Sequence, residues 1–303
     1  MASAFAKDIR RSIKGSLGRF LAIAIICALG CGFYTGLRSA APDMKLSGDE
    51  YYDATRTYDI QVRSTLGLAD ADLERLAAVD GVAEVAPERE LDAVATIGQG
   101  QYTVRIHSLD VDAARSSDTS DGLNAISDDE GYLNRPILVS GSWPDEPGEC
   151  LLAYDPALED APQVGDVAHV VEGAPGEDPD RLLSTRDFTI CGFVRTGSYP
   201  SSTGLGVTSL GNGSLDTYLL VADSDFDQEQ PYTGAWLTVS GAAALDSSSD
   251  AYKELVDGVV KRLEDEEPDL AAARLADVKA DAQAELDDNR ASYEDEKADV
   301  QAR

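Results

Sequence analysis

Few residues in this sequence have types and spacings that could support catalysis. The two histidines, His107 and His169, each lie within an alternating strand pattern, where a packing role is commoner than a ligand role. No Cys-x-x-Cys, HExxH, Walker A or GxSxG motif occurs. With 56 acidic residues, no pair of carboxylates stands out as a glycosidase pair. We therefore predict no catalytic residue, no cofactor site and no metal site, and we expect that the chain is not an enzyme.

The acidic residues predict exposed surface more than a binding site. Asp223, Asp225 and Asp227 have the first spacing of a calcium loop, but Gln228 occupies the glycine position and the distal glutamate is missing. We interpret this run as a solvated acidic turn. The net charge of −31 argues against nucleic acid as a partner, because phosphates would be repelled.

Two of the four cysteines are candidates for a disulfide. Cys150 and Cys191 lie in the short apolar runs ECLLA and TICGFV, and a bond between them would close a loop of about 40 residues. An oxidising exterior would allow such a bond, whereas two buried strand cysteines that never meet are an equal alternative. Cys27 and Cys31 are four residues apart, and we interpret them as inert packing residues.

The apolar stretch Phe20–Leu37 is the one segment suited to a bilayer. It has 18 residues without a charge, and as a helix it would span about 27 Å, close to the thickness of a hydrocarbon core. Five basic residues and one acid precede it, whereas the rest of the chain is strongly acidic. The positive-inside rule therefore predicts a cell-membrane protein with one transmembrane helix at 20–37, a cytoplasmic amino terminus and an extracytoplasmic bulk.

A cleaved signal peptide is the main alternative for the same stretch. The small residues at 39–41 would suit cleavage, but the long apolar run, with Tyr34 and Arg38 near that site, favours a retained anchor. Lipoprotein processing at Cys31 is disfavoured, because the usual leucine three positions before the cysteine is missing.

Two glycines in this stretch predict a helix-packing surface. Gly32 and Gly36 form a GxxxG motif, which lets a second membrane helix approach closely. Small residues are also common in membrane helices without such a role, and both interpretations stay open.

The segments on either side of the span have different characters. The segment 1–19 predicts a basic amphipathic helix on the inner leaflet, because apolar residues recur every fourth position among its basic residues. The segment 38–57 predicts a stalk that continues the membrane helix outward. The apolar residues of the first segment are Phe5, Ile9, Ile13 and Leu17.

The pattern beyond the stalk indicates an extracytoplasmic α+β core domain at 58–243. Tyr58–Ser64 alternates as a strand, and Asp70 is a suitable cap for the helix in ADLERLAAV. The run VAEVAPERELDAVATI then predicts a strand, and QYTVRIHSL follows a turn at 98–100 as the next strand. The order strand, helix, strand, strand predicts a mixed or antiparallel sheet.

The last part of the chain, 244–303, predicts a helical or coiled-coil arm. A helical stripe begins after Asp250, Pro268 interrupts it, and the rest has residues near heptad positions that a solvated helix could also have. Because the sequence stops within this pattern, we expect a fragment or a truncated gene product. The stripe comprises Tyr252, Leu255, Val256, Val259, Val260 and Leu263.

The order of several motifs resembles the FtsX-like ABC transporter permeases that have a MacB-like extracytoplasmic core domain. The run GFYTGLRSAAPDMKLSGDEYYDATRTYDIQVRSTLGLADADLERL is similar to the start of such a permease. The later runs GSWP at 141–144, PGECLLAYDP, QVGDVAHV, DFTICGFV and SSTGLGVTSLGNGSLDTYLLV follow in the family's order. The resemblance covers essentially the whole chain.

The resemblance implies the first-span and extracytoplasmic part of a permease subunit that does not itself hydrolyse ATP. Its implied partners are a cytoplasmic ABC ATPase subunit, a second permease copy or homologous subunit, and the membrane. The implied role is to transmit motion to an extracytoplasmic lipid, lipoprotein or peptide. The family's further membrane helices are missing here. A single-span anchored binding or adaptor protein with a coiled-coil arm is the alternative from another functional class.

Overall fold

The computed structural model describes residues 7, 11, 15, 17–117, 132–155, 162–201 and 204–301. The chain divides into two units, Met1–Glu50 and Tyr51–Arg303. Most of the predicted amphipathic segment 1–19 lies outside the described residues.

The first unit consists mainly of one long helix, α1, which spans Leu17–Ala54 and so ends four residues inside the second unit. Among the described residues, α1 is the one helix long and apolar enough to cross a membrane. None of its residues is buried. The helix continues beyond the predicted span 20–37 and ends at Ala54, and the stalk at 38–57 stays a prediction.

Within its described residues, the second unit combines ten strands with short helices and one long helix. In chain order its elements are β1 Ile60–Leu68, α2 Asp70–Ala77, β2 Val82–Glu88, β3 Glu90–Ile97, β4 Gly100–Leu109, α3 Val111–Ser116, β5 Ile137–Gly141, β6 Glu149–Ala153, β7 Val167–Gly173, α4 Pro179–Leu182, β8 Asp187–Arg195, β9 Thr217–Ala222, β10 Tyr232–Val239 and α5 Asp250–Gln301. Short 3₁₀ turns at Asp223–Asp225 and Ala242–Ala244 flank β10. The predicted α+β class is confirmed.

Seven strands form a mixed sheet that closes on itself. The order is β5-β8-β6-β9-β4-β3-β7, and β7 also pairs with β8, so that six strands form a closed barrel with β5 added to β8. The β4–β9 and β6–β8 pairs are parallel and the others antiparallel. Closure pairs the strand edges that an open sheet would leave free. The barrel therefore has little exposed backbone along its sides.

Apolar side chains from all six barrel strands form one buried cluster. The fully buried members include Phe188, Ile190, Leu219, Ile106, Val104 and Val170. A second cluster covers the opposite face of the sheet around Trp143, Leu151, Val194, Tyr218 and Leu220. Because both faces of these strands are buried, their sequences contain continuous apolar runs more often than an alternation of apolar and polar residues.

The remaining three strands form a separate small sheet in the order β1-β10-β2, with both pairs antiparallel. The helix α2 and the first half of α5 cover it. The helical stripe predicted after Asp250 is confirmed, since all six of its residues pack in this cluster. The strand side of the cluster is Ile60, Leu68, Ala235, Leu237 and Val239.

In the part of the chain that the structure describes, two passages lead between the small sheet and the barrel. The run VAEVAPERELDAVATI, predicted as one strand, forms β2 in the small sheet and β3 in the barrel, with Arg89 between them. The second passage runs from the end of β9 to the start of β10. A local alternation pattern does not specify which sheet a strand joins, which is why the first passage was missed.

Two further local predictions differ from the structure. Pro268 does not interrupt the arm, because α5 continues through it as one helix; a proline removes one hydrogen bond, which a long helix tolerates. Asp70 is the first residue of α2 and not its cap, and the Asp72 carboxylate instead accepts a hydrogen bond from Ala69 N at 2.9 Å. Beyond the small sheet, heptad residues such as Leu286 and Tyr293 are exposed. The coiled coil stays a prediction.

Candidate functional site

The residues that join α1 to the sheets, Tyr51–Asp59, form a densely bonded segment that we call the helix junction. Thr55, the first residue after α1, is 1% exposed, and its hydroxyl donates a hydrogen bond to Tyr51 O at 2.7 Å. Arg56 follows in the left-handed region with φ 45°, a common way to end a helix. The residue that follows α1 is therefore buried, and its hydroxyl is bonded back to the last turn of the helix.

The junction pairs through its backbone with the segment just before β5. Arg135 N donates to Thr55 O at 2.8 Å, and Asn134 N donates to Arg56 O at 2.9 Å. The Asn134 side chain in turn accepts from Tyr58 N at 2.9 Å. These three bonds fix the end of α1 to the barrel side of the domain.

The junction is also bonded to the small sheet. Arg56 Nη2 lies 2.7 Å from Glu84 Oε2 on β2. The Tyr58 ring packs on Trp236 of β10 with 4.0 Å between ring centroids, and burial raises the pKa of Tyr58. The residues that directly follow α1, at 55–58, thus contact both sheets.

Asp59 connects the junction with the start of α5. Its carboxylate accepts from Tyr252 Oη at 2.6 Å and from Val239 N at 2.7 Å. Asp59 N donates to Leu237 O at 2.9 Å, next to the first pair of the β1–β10 ladder. One carboxylate therefore joins the first strand of the domain, the last strand and the long helix that follows.

Gly197 lies against the junction where a side chain would not fit. A Cβ added there would overlap Thr57 Oγ1 and lie 2.7 Å from Thr55 Oγ1. These two hydroxyls are hydrogen-bonded to each other at 2.8 Å. The close approach explains why this position is a glycine, because its φ requires none.

A second group, which sequence reasoning missed, is the acidic cluster of Glu88, Glu90 and His107. The three residues are 4%, 7% and 6% exposed, and one donor atom from each lies within 4.8 Å of the others. Glu88 ends β2 and Glu90 begins β3, and His107 pairs with Glu90 across the β3–β4 ladder. These donors are of a kind that holds a metal ion.

The imidazole of His107 is hydrogen-bonded at both nitrogens. Nδ1 lies 2.6 Å from Glu88 Oε1, and Nε2 lies 2.7 Å from Tyr199 Oη. The Tyr199 ring stacks on Tyr218 at 4.4 Å, and burial raises the pKa of both phenols. The stacked tyrosines hold the ring of His107 in one orientation.

Glu90 is flanked by two arginines. Its Oε1 forms an ion pair with Arg63 and lies 3.8 Å from Arg105 Nε. Arg105 makes two hydrogen bonds to Asp92, at 2.6 and 2.9 Å. Burial by itself would raise the pKa of Asp92, but the bonds and charge of Arg105 outweigh it and lower that pKa. The charge of Arg105 is thus already matched by Asp92.

The residues predicted as a possible disulfide lie on neighbouring strands. Cys150 on β6 and Cys191 on β8 are both free thiols, and Cys191 Sγ donates to Cys150 O at 3.2 Å. Cys150 packs in the barrel cluster and Cys191 in the cluster on the other face, because Cys150 is paired with Ile190 and Cys191 is the next residue along β8. The structure therefore favours the alternative of two separate buried cysteines.

The remaining predicted positions are the two glycines of α1 and the acidic run at 223–227. Gly32 and Gly36 are exposed on α1 with open space around both, so the predicted packing surface stays a proposal. The solvated turn predicted at 223–227 is wrong for Asp225, which is fully buried and accepts from Gly148 N and Ser184 Oγ. Buried acids of this kind cap backbone groups and need no ion.

The chain has structural similarity to extracytoplasmic parts of bacterial transport proteins. It matches the extracellular domain of the noncanonic ABC-type transporter YknZ from Gram-positive bacteria at 9% identity and a TM-score of 0.31, over 66% of this chain and 94% of that one. It matches the periplasmic region of MacB from Actinobacillus actinomycetemcomitans at 11% identity and a TM-score of 0.32, over 67% and 75%. The chain is similar to both.

No protein-family model matches the sequence, and no curated protein matches it.

Proposed function

We propose that this chain is the first membrane span and extracytoplasmic domain of an ABC transporter permease subunit. In this role it transmits motion, driven by a separate cytoplasmic ATPase, to a lipid, lipoprotein or peptide outside the membrane. The observation that carries the proposal is the helix junction, because its bonds join the end of α1 to both sheets and to the start of α5.

The physical basis is that packed elements move as units and do not stretch. A displacement of the last turn of α1 acts directly on Asn134 and Arg135 through backbone hydrogen bonds. The same displacement acts on α5 through Asp59 and Tyr252. A flexible tether would lack such bonds, whereas a transmitting element requires them.

The partners and orientation belong to the same proposal. A separate ATPase supplies the energy, because the sequence has no Walker A motif. A second permease copy or homologous subunit packs against the surface that Gly32 and Gly36 leave open. The basic residues before Phe20 place the amino terminus in the cytoplasm and the domain outside.

The test is to make α1 flexible before the junction. A Gly-Ser segment inserted after Ser47 interrupts the helix Leu17–Ala54 in the assembled permease. Spin labels at Asp277, on the exposed part of α5, report the distance between two copies with and without ATP. We expect ATP hydrolysis to persist while the ATP-driven change in distance decreases as the insert lengthens, because longer flexible linkers transmit less force.

A helical insert of equal length at the same position is the matched control, since it lengthens α1 without making it flexible. The helical insert should preserve more of the ATP-driven change than the Gly-Ser insert. If both inserts leave the change intact, α1 is only a tether, and the anchored binding or adaptor protein becomes the better explanation.

A further inference from the structure

The acidic cluster of Glu88, Glu90 and His107 lies where the chain passes from the small sheet to the barrel. Glu88 is the last residue of β2 and Glu90 the first of β3, and only Arg89 separates them. His107 comes from the adjacent strand β4, directly opposite Glu90. Glu88 therefore comes from the small sheet, whereas Glu90 and His107 come from the barrel. The strands that carry these residues hold them in position.

Each carboxylate of the cluster has one oxygen in use and one without a partner. Glu88 Oε1 contacts His107 Nδ1, and Glu90 Oε1 pairs with Arg63. Glu88 Oε2 and Glu90 Oε2 are buried and have no hydrogen-bond partner. Buried polar atoms nearly always have a partner, so two unpartnered carboxylate oxygens in one cluster indicate a missing ligand.

The local charge balance favours a cation as that ligand. Two carboxylates, Glu88 and Glu90, share the cluster, and Arg63 is the arginine paired with one of them. The nearby Arg105 is engaged by Asp92 and lies 3.8 Å from Glu90. With His107 as a neutral ligand, the cluster is left with an excess of negative charge, which is costly when it is buried.

The donor set is one imidazole nitrogen and two carboxylate oxygens. This set suits Zn²⁺ and similar first-row divalent cations, which bind nitrogen and oxygen at about 2.0–2.2 Å. Neighbouring donors around a tetrahedral ion of this kind are about 3.4 Å apart. The donor atoms here lie within 4.8 Å of one another, so binding requires the side chains to move inward around the ion.

The surroundings supply what a ligating histidine needs. A metal-bound imidazole usually donates its other N–H to a fixed acceptor, and Tyr199 Oη lies 2.7 Å from His107 Nε2. A cavity of about 50 Å³ borders Glu88, His107 and Tyr199, which is enough room for one water as a further ligand. The metal would take Nδ1 and replace the hydrogen bond to Glu88.

We propose that Glu88, Glu90 and His107 form a binding site for a divalent transition-metal cation, of which Zn²⁺ is the test case. The ion would join β2 to β3 and β4, and would thereby fix the small sheet against the barrel. This proposal does not depend on the transport function. The chain would have the site whether it transmits motion or only binds a partner.

Calorimetric titration of the full, chelator-treated chain in detergent with Zn²⁺ tests the site directly. We expect one saturable site per chain, and at least tenfold weaker binding in each of Glu88→Gln, Glu90→Gln and His107→Gln. Substitution by Co²⁺ should give visible absorption bands that His107→Gln abolishes.

His169→Gln is the matched control, because His169 Nδ1 also lies 2.6 Å from a carboxylate, that of Asp187, but on the surface. It should leave the affinity unchanged. If His169→Gln weakens binding as much as the cluster variants do, or if the wild type binds no ion saturably, the proposal is wrong and the cluster is a hydrogen-bond network alone.

Thermal unfolding separates loss of the site from loss of folding. A ligand that binds the folded state raises Tm, so Zn²⁺ should raise the Tm of the wild type and of His169→Gln. Each cluster variant should lose this Zn²⁺-dependent increase, whatever its own Tm without metal. An undiminished increase in Glu88→Gln and Glu90→Gln would overturn the assignment.

Discussion

Arg89 and Asp223 join the two places where the chain passes between its sheets. Arg89 separates β2 from β3, and Asp223 follows β9 on the way to β10; Arg89 Nη1 lies 2.8 Å from Asp223 Oδ1. The guanidinium also lies over the Tyr232 ring, 4.2 Å from its centroid. Because Arg89 is 5% exposed, this ion pair holds both passages at a buried point between the sheets.

Asp223→Asn should destabilise the folded chain by about 1–2 kcal/mol, because it leaves a buried guanidinium without its counter-charge. The carboxylate is itself partly exposed, with 41% of the side chain accessible, which keeps the cost below that of a fully buried pair. Urea denaturation of the whole chain in detergent measures the free energy of unfolding. Glu229→Gln, an exposed acid in the same segment, should change it by less than about 0.5 kcal/mol. Equal effects of the two substitutions would contradict the role of the ion pair.

Part of the acidic cluster could have been predicted from the sequence. The turn at 98–100 fixes the hairpin register, which pairs Ile97 with Gly100 and hence, counting outward, Glu90 with His107. The approach of Glu88 could not have been predicted, because it depends on the change of sheet at Arg89. No local periodicity encodes that change.

The cysteines and the acidic run show a similar limit. Strand character was predictable for both cysteine segments, but the pairing of Cys150 with Ile190, which leaves Cys191 on the opposite face, depends on how the two strands align. Likewise, the residues next to Asp225 in the sequence are typical of a solvated turn. It is buried because Gly148 and Ser184 come from other parts of the chain to bond with it.

The bond between Asp59 and Tyr252 should contribute to the attachment of α5. Tyr252→Phe removes the hydroxyl that donates to Asp59 Oδ1 at 2.6 Å, and we expect a loss of about 1 kcal/mol. Asp59→Asn should cost more, since the carboxylate also accepts from Val239 N.

In a double-mutant cycle the two substitutions should be less than additive, with a coupling of about 0.5–1.5 kcal/mol. Tyr293→Phe, on the exposed part of α5, is the control and should be nearly neutral. Strict additivity of Asp59→Asn and Tyr252→Phe would mean that the bond contributes nothing.

Cys150 and Cys191 should be unreactive in the folded protein. Burial raises the pKa of both thiols, that of Cys191 to about 12, so that almost no thiolate exists at pH 8. We expect alkylation of both only after unfolding, and no linked peptide in non-reducing mass mapping. A linked Cys150–Cys191 peptide would instead establish the disulfide.

The same shifts predict how stability changes with alkaline pH. Because the folded pKa values lie above the unfolded value near 9, the stabilisation is present below pH 9 and decreases as the pH rises toward the folded pKa. The free energy of unfolding should therefore decrease between pH 8 and 10.5. Cys191→Ser should reduce the slope, and an unchanged slope would contradict the assignment.

The orientation of the chain can be tested by cysteine labelling of whole cells. In a background with Cys27 and Cys31 replaced by serine, a membrane-impermeant maleimide should label Ser209→Cys, an exposed position in the domain. It should not label Ser3→Cys, because the basic residues before Phe20 favour the cytoplasmic side. Labelling at Ser3→Cys in intact cells, or a mature amino terminus near Ala41, would refute the proposed topology.

Gly197→Ala should loosen the helix junction. The added methyl group would overlap Thr57 Oγ1 and crowd Thr55 Oγ1 at 2.7 Å, so the backbone or the threonines must move. Such overpacking typically costs about 1–3 kcal/mol. We expect a lower free energy of unfolding and, in the spin-label experiment, a smaller ATP-driven change at Asp277.

Removing the Thr57 hydroxyl should restore part of the free energy of unfolding and part of the ATP-driven change at Asp277 that Gly197→Ala loses. In Gly197→Ala/Thr57→Ala the main overlap is gone, although Thr55 Oγ1 still lies close, so recovery should be incomplete. Gly48→Ala is the matched control, since a Cβ there meets no atom within 4 Å and alanine favours the helix. If Gly197→Ala lowers stability but leaves the ATP-driven change intact, the junction is a structural contact and transmission uses another route. If the double variant restores both together, the fit of Gly197 against Thr57 is part of how α1 moves the domain.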